Sequence, residues 1–123
     1  DRVRTAQPPA RLEALPDRAT IRADGRDLSF VTVRILDEAG VVVPRADHRI
    51  RFTVEGPGEI LATDNGDPTS FEPFTAPERI AFGGLCLVIV RAKAGRPGRI
   101  RLTASAEGLG AGTAVIMAAA RPR

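Results

Sequence analysis

The sequence contains no tryptophan and no tyrosine, and its aromatic side chains are five phenylalanines. Small β proteins that bind sugars usually stack the sugar rings on tryptophan or tyrosine, which combine a large apolar face with a polar group. The bases of nucleic acids stack on similar rings. The missing rings argue against a carbohydrate-binding module. Together with a net charge of only +3 and no basic run longer than two residues, they also argue against nucleic-acid binding.

Cysteine and histidine occur once each, which restricts the chemistry open to the chain. Cys86 has no partner for an intrachain disulfide, and its apolar neighbours predict a small buried hydrophobe. His48 has no cysteine or second histidine beside it, so we expect a surface histidine. Thr69 and Ser70 lack the histidine that would activate a hydroxyl nucleophile. We therefore predict no catalytic residue, no cofactor and no metal in this chain.

Long apolar runs are also missing. No run approaches the length of a membrane-spanning helix, and no basic-then-apolar signal segment stands at the start, so we expect no membrane insertion. Because the chain begins at Asp1 without an initiator methionine, we also expect it to be a piece of a larger polypeptide.

The composition is that of one globular domain, since 43% of the 123 residues are hydrophobic and 27% are charged. Residues 1–10 are polar, include Pro8 and Pro9 and show no periodicity, so they are predicted to be a linker or tail. Residues 11–120 are the predicted domain, interrupted by a long loop at residues 64–84.

Within the domain, apolar residues recur with a period of two, which is typical of β-strands. The clearest strand covers residues 28–36. One of its faces is predicted to be buried and carries Ser29, Val31, Val33 and Ile35. The other face, with Phe30 and Leu36, is too apolar for plain solvent.

The other strands are shorter and are separated by glycine and proline turns. They are predicted at residues 11–15, as an edge strand, and at residues 19–23, 49–55, 59–63, 85–90, 99–105 and 114–118. The run at residues 85–90 is apolar on both faces, so we expect it to be covered on both sides. With no amphipathic helical stretch of useful length, the pattern predicts an all-β sandwich with Greek-key connections.

The loop at residues 64–84 is the main candidate for a functional element. It is far longer than a usual connection and holds Phe71, Phe74 and Phe82, three of the five phenylalanines. Apolar rings in a loop need a cover. Either the loop docks on another protein surface, or it folds back over its own sandwich and covers Phe30. The candidate docking residues are Asn65, Asp67, Phe71, Glu72, Phe74 and Phe82.

The same loop carries four carboxylates, which we compared with known acidic sites. Asp64-Asn65-Gly66-Asp67 lacks the alternating ligands of a calcium loop, so we expect a turn held by Asx hydrogen bonds instead. Glycoside hydrolysis needs two carboxylates across a cleft, and a small sandwich with one such loop offers little cleft.

Two segments carry a family resemblance: NGDPTSFEPF at residues 65–74 and AFGGLCLVIV at residues 81–90. With IRFTVEGPGEI and GRIRLTASAEGL, they resemble the immunoglobulin-like C-terminal domain of bacterial β-galactosidases of glycoside hydrolase family 2, over roughly residues 10–118. The turn DEAGVVVPRAD is more distantly similar to that of invasin-type bacterial immunoglobulin-like domains. The resemblance implies an immunoglobulin-like antiparallel β-sandwich with Greek-key topology.

The resemblance also implies a function. Such a domain is a non-catalytic accessory module, because the catalytic glutamates of these enzymes lie in a separate barrel. Its expected partners are other domains of the same polypeptide or a second subunit. At Phe71 the sequence departs from the Ser-His-Glu-Pro pattern of the family, which favours apolar docking by the loop. A carbohydrate-binding module and a cell-surface adhesion or spacer domain are the alternatives.

Overall fold

The computed structural model describes residues 7–66 and 77–120 of the chain, and these residues form nine β-strands without a helix. The strands are β1 (Arg11–Pro16), β2 (Thr20–Arg22), β3 (Leu28–Leu36), β4 (Arg49–Glu55), β5 (Gly58–Asp64), β6 (Glu78–Ile80), β7 (Leu85–Ala92), β8 (Gly98–Ser105) and β9 (Gly112–Ala119). In the described part of the chain, no helix that could cross a membrane is found.

The strands form two sheets packed face to face. Sheet A has the order β1-β3-β7-β5, and sheet B has the order β2-β9-β8-β4-β6. Of the connections between consecutive strands, only the one from β8 to β9 stays within a sheet. The predicted all-β, immunoglobulin-like sandwich is therefore confirmed. One pairing differs from the prediction, because the short strand β2 runs parallel to β9 whereas every other pair is antiparallel.

The core lies between the sheets and follows the predicted alternation. Ser29, Val31, Val33 and Ile35 of β3 are fully buried. Facing strands supply further buried apolar side chains, among them Ile50, Phe52, Cys86, Val88, Val90, Ile100, Leu102 and Ile116. Apolar burial of this kind is the main favourable term in folding.

The outer side of sheet A differs in part from the prediction. Leu36, on the face predicted to be too apolar for plain solvent, is only 1% exposed. The chain after β3 folds back over it, with a bridge between Leu36 and Val42 and a hydrogen bond from Val43 N to Ile35 O of 2.9 Å. The strand β7 was expected to be covered on both sides, yet Leu87 and Ile89 are only half-buried.

The turn between β6 and β7 requires glycine at two successive positions. Gly83 and Gly84 have φ values of 63° and 77°, the left-handed conformation at both central positions of a type I′ hairpin turn. Phe82 and Leu85 close this turn with two backbone hydrogen bonds of 3.0 and 3.1 Å. A Cβ atom on Gly84 would lie 2.4 Å from Val43 O, whereas a Cβ atom on Gly83 would meet nothing within 4 Å.

Because of this difference, alanine should destabilise the domain more at Gly84 than at Gly83. Gly83→Ala should lower the free energy of unfolding by about 1 to 2 kcal/mol, because only the left-handed conformation is penalised. Gly84→Ala should lower it by about 2 to 5 kcal/mol, because the overlap with Val43 adds to that penalty. Urea unfolding of the two variants measures the difference, and equal costs would contradict the close approach.

Candidate docking surface

The outer side of sheet A, turned away from the core, carries a mainly apolar surface. Its members, here called the outer face, are Leu15, Phe30, Thr32, Ala62, Leu87 and Ile89. The strand register places them in two rows. Phe30, Ile89 and Ala62 form one row, and Leu15, Thr32 and Leu87 form the next, which ends at Asp64 of β5. Directly opposed residues of neighbouring strands lie on the same side of a sheet, so these side chains are neighbours.

The outer face is open in the structure. Leu15 is 47% exposed and Phe30 is 39% exposed, while Leu87 and Ile89 are half-buried by their neighbours. Within residues 7–66 and 77–120, no third layer covers sheet A. Contiguous exposed apolar patches on globular domains often mark protein interaction sites.

Ion pairs border the outer face at both ends of the strands. At one end, Arg34 donates from Nε to Glu13 Oε1 at 2.7 Å, and its Nη2 contacts the same oxygen. At the other end, Arg91 donates from Nε and Nη2 to Glu59 Oε1 at 2.9 and 2.7 Å. Each pair joins residues that lie opposite each other on adjacent strands. An apolar centre with a polar rim is the usual anatomy of a protein interface.

Phe82, one of the predicted docking residues, extends this surface. It forms a hydrogen-bonded cross-strand pair with Leu85, so both side chains lie on one side of the hairpin. Leu85 lies opposite Arg34 on the outer side of sheet A. Phe82 and Leu85 are 50% and 40% exposed. The structure thus places Phe82 with Leu85 at the Arg34 end of sheet A.

Asn65, the other predicted residue within the described chain, holds the two ends of the long loop together. Its side-chain Nδ2 donates to Ile80 O at 2.7 Å. Just before it, Asp64 Oδ1 accepts from Asn65 N at 2.8 Å and from Gly66 N at 3.1 Å, which is the expected Asx turn. Asp67, Phe71, Glu72 and Phe74 lie outside the described residues.

Arg79 has a structural role that the sequence analysis missed. It is 1% exposed, lies on β6 at the edge of sheet B, and reaches across to β5 at the edge of sheet A. Its Nη2 donates to Thr63 O at 2.8 Å and to Thr63 Oγ1 at 3.1 Å. In the three residues of β6, Arg79 points inward and Ile80 points outward. Arginine is usually exposed and isoleucine usually buried, so the residue types alone did not indicate that Arg79 would be buried.

A cleft lies at the edge of sheet B, apart from the outer face. It has a volume of about 570 Å³ and lies beside Arg49, Arg51 and Glu78. Glu78 pairs with both arginines, at 3.4 Å to Arg49 and 3.1 Å to Arg51. His48 borders the same cleft and is half-buried, so the expectation of a surface histidine is wrong in part. Its Nδ1 is buried without a hydrogen-bond partner among the described residues.

The outer side of sheet B differs from that of sheet A. Its two exposed apolar residues on β9, Val115 and Met117, lie opposite Arg101 and Arg99 of β8. Charged side chains therefore interrupt the apolar surface. This is the solvated, arginine-rich surface that is typical of a side left in water.

Comparison with known proteins identifies the family. The family model described as glycoside hydrolase family 2 C-terminal domain 5 matches residues 12–115. The chain belongs to this family. The resemblance stated from the sequence is confirmed.

Individual relatives of this glycoside hydrolase family 2 domain are much longer proteins. The chain is 50% identical over 105 residues to Beta-galactosidase BoGH2A of Bacteroides ovatus, a match that covers 85% of this chain and 12% of that protein. A solved glycosyl hydrolase family 2 member from Bacteroides cellulosilyticus matches 90% of this chain and 15% of its own, at 32% identity and a TM-score of 0.87.

Intimin, a solved structure outside the family, shows the same type of fold. A C-terminal intimin fragment matches 87% of this chain and 30% of its own, at 16% identity and a TM-score of 0.50. At this identity the likeness concerns the fold alone.

The hydrogen bond from Arg79 to Thr63 can be tested in this family 2 domain by comparing the stabilities of two Thr63 variants. Thr63→Val removes an acceptor from the buried Arg79 guanidinium and should lower the free energy of unfolding by about 1 to 3 kcal/mol. Thr63→Ser keeps the hydroxyl and should cost only about 1 kcal/mol for the lost methyl group. Chemical denaturation of both variants checks this, and a valine variant no less stable than the serine variant would contradict the role of Oγ1.

Proposed function

We propose that this domain is a non-catalytic accessory module of a β-galactosidase-like glycoside hydrolase of family 2. Its role is to pack against sister domains of the parent polypeptide or against a second subunit. The observation that carries this proposal is the outer face, an apolar surface with an ion-paired rim on a domain that spans 12% of its β-galactosidase relative.

The described carboxylates support a structural role rather than an acid–base role. Glu13, Glu59 and Glu78 each pair with arginine on a neighbouring strand. Asp27 accepts hydrogen bonds from Arg18 and from backbone amides, and the Arg18 contact is the main reason that the pKa of Asp27 falls to about 2. A general acid needs the opposite shift, a pKa raised towards the working pH.

The long loop is the second part of the proposed contact. We propose that Asn65, Asp67, Phe71, Glu72, Phe74 and Phe82 form a docking element. Two observations support it: the hydrogen bond from Asn65 to Ile80 O fixes the base of the loop, and Phe82 is half-exposed at the Arg34 end of sheet A. A loop with a fixed base presents its side chains to a partner at a lower entropic cost.

A double substitution tests the docking role of this loop. Phe71→Ala with Phe74→Ala should leave the isolated chain folded. It should weaken association of the chain with the remainder of the parent polypeptide, supplied as a separate fragment, because two docked phenylalanines contribute about 3 to 6 kcal/mol before association costs are subtracted. Titration calorimetry measures the association, and circular dichroism measures the fold.

Phe52→Ala serves as the control for folding, because Phe52 is a core residue with 3% exposure. This variant should lose about 3 to 5 kcal/mol of stability. If the double variant loses as much stability as Phe52→Ala, the phenylalanines of the loop cover their own sandwich and the docking role is wrong.

A further inference from the structure

We propose that the outer face of sheet A is covered by a neighbouring domain of the same polypeptide and not by a second copy of this chain. The proposal rests on the accessory role stated above and adds which occupant covers the face. The size of the face and its charge favour a tethered occupant, and the contrast with sheet B indicates which side of the described chain docks.

The outer face is small. It extends across three inter-strand spacings and along six residue steps, from Leu85 to Arg91, which gives about 14 Å by 20 Å, or about 300 Å². A stable association of separate proteins buries about 800 Å² on each partner. The face alone is too small for that. A domain on the same polypeptide acts at an effective concentration in the millimolar range, so a smaller contact is sufficient.

The described rim carries little net charge. Glu13 and Glu59 are each paired with the arginine opposite, Arg34 and Arg91, while Asp64, opposite Leu87, adds one carboxylate that accepts from backbone amides. The rim therefore offers little charge to steer a free partner, and such steering is what gives separate proteins fast association. A tethered partner needs no steering. The matching surface should have an apolar centre and a hydrogen-bonding margin.

Sheet B provides an internal comparison. Val115 and Met117 have exposures similar to that of Phe30, but Arg101 and Arg99 lie opposite them. Docking on that side would remove water from two arginines, which is costly unless the partner supplies carboxylates. On sheet A, by contrast, Phe30, Ile89 and Ala62 lie side by side with no charged residue between them.

The test compares matched variants in the full-length polypeptide that carries this domain. The face variant is Phe30→Ser with Ile89→Thr, a cross-strand pair on the outer face. The control variant is Val115→Thr with Met117→Gln on sheet B. Leu15→Ser, on an edge strand, is a second face variant for the case in which the first one lowers the stability of the isolated chain. Limited proteolysis measures the rate at which this domain is released, and light scattering measures the mass of the assembly.

The face variant should raise the rate of release about ten-fold over wild type with the mass unchanged, and the control variant should leave the rate within two-fold. Equal rates for the face and control variants would overturn the proposal. A face variant that halves the assembly mass without faster release would also overturn it, since the occupant would then be a second copy. Galactoside hydrolysis by the isolated chain would instead refute the accessory role, and the release assay does not depend on activity.

Discussion

The antiparallel register between β3 and β7 determines both sides of sheet A. With Val31 opposite Val88 and Val33 opposite Cys86, four small apolar side chains point into the core. The intervening residues necessarily point outward. A slip of one residue would exchange the two sides, placing Thr32 and Arg34 in the core. The register that builds the core therefore also builds the outer face.

Closure of the sandwich depends on a few contacts where the chain passes between the sheets. Gly84 lets the backbone approach Val43, and Arg79 joins β6 of sheet B to Thr63 of sheet A. Asn65 adds a bond from the end of β5 to Ile80. These contacts hold the edge strands β5 and β6 together at the base of the long loop. Any docking role of the loop depends on that base.

The regular part of this fold was predictable because it depends on local alternation. The strand Leu28–Leu36 and its buried set from Ser29 to Ile35 followed from period two alone. The burial of Leu36 did not, because it depends on residues 41–43 folding back, a contact that no periodicity encodes. The parallel pairing of β2 also depends on how the chain crosses between sheets after Pro16.

The candidate site was predictable only in part. Phe82 and Asn65 were named from the sequence, and the structure places both near the base of the loop, while Asp67, Phe71, Glu72 and Phe74 stay predictions. The apolar residues Leu87 and Ile89 were expected to be covered, and their partial exposure is what reveals the outer face. The sequence shows which side chains are apolar, but it does not show whether the same domain or a different one covers them.

A structure of the full-length polypeptide would show directly what lies against sheet A. Another domain of the same chain should contact Phe30, Leu87 and Ile89 and remove their remaining solvent exposure. Side chains of the outer face that stay in water, or that contact a second copy of this domain, would contradict this prediction.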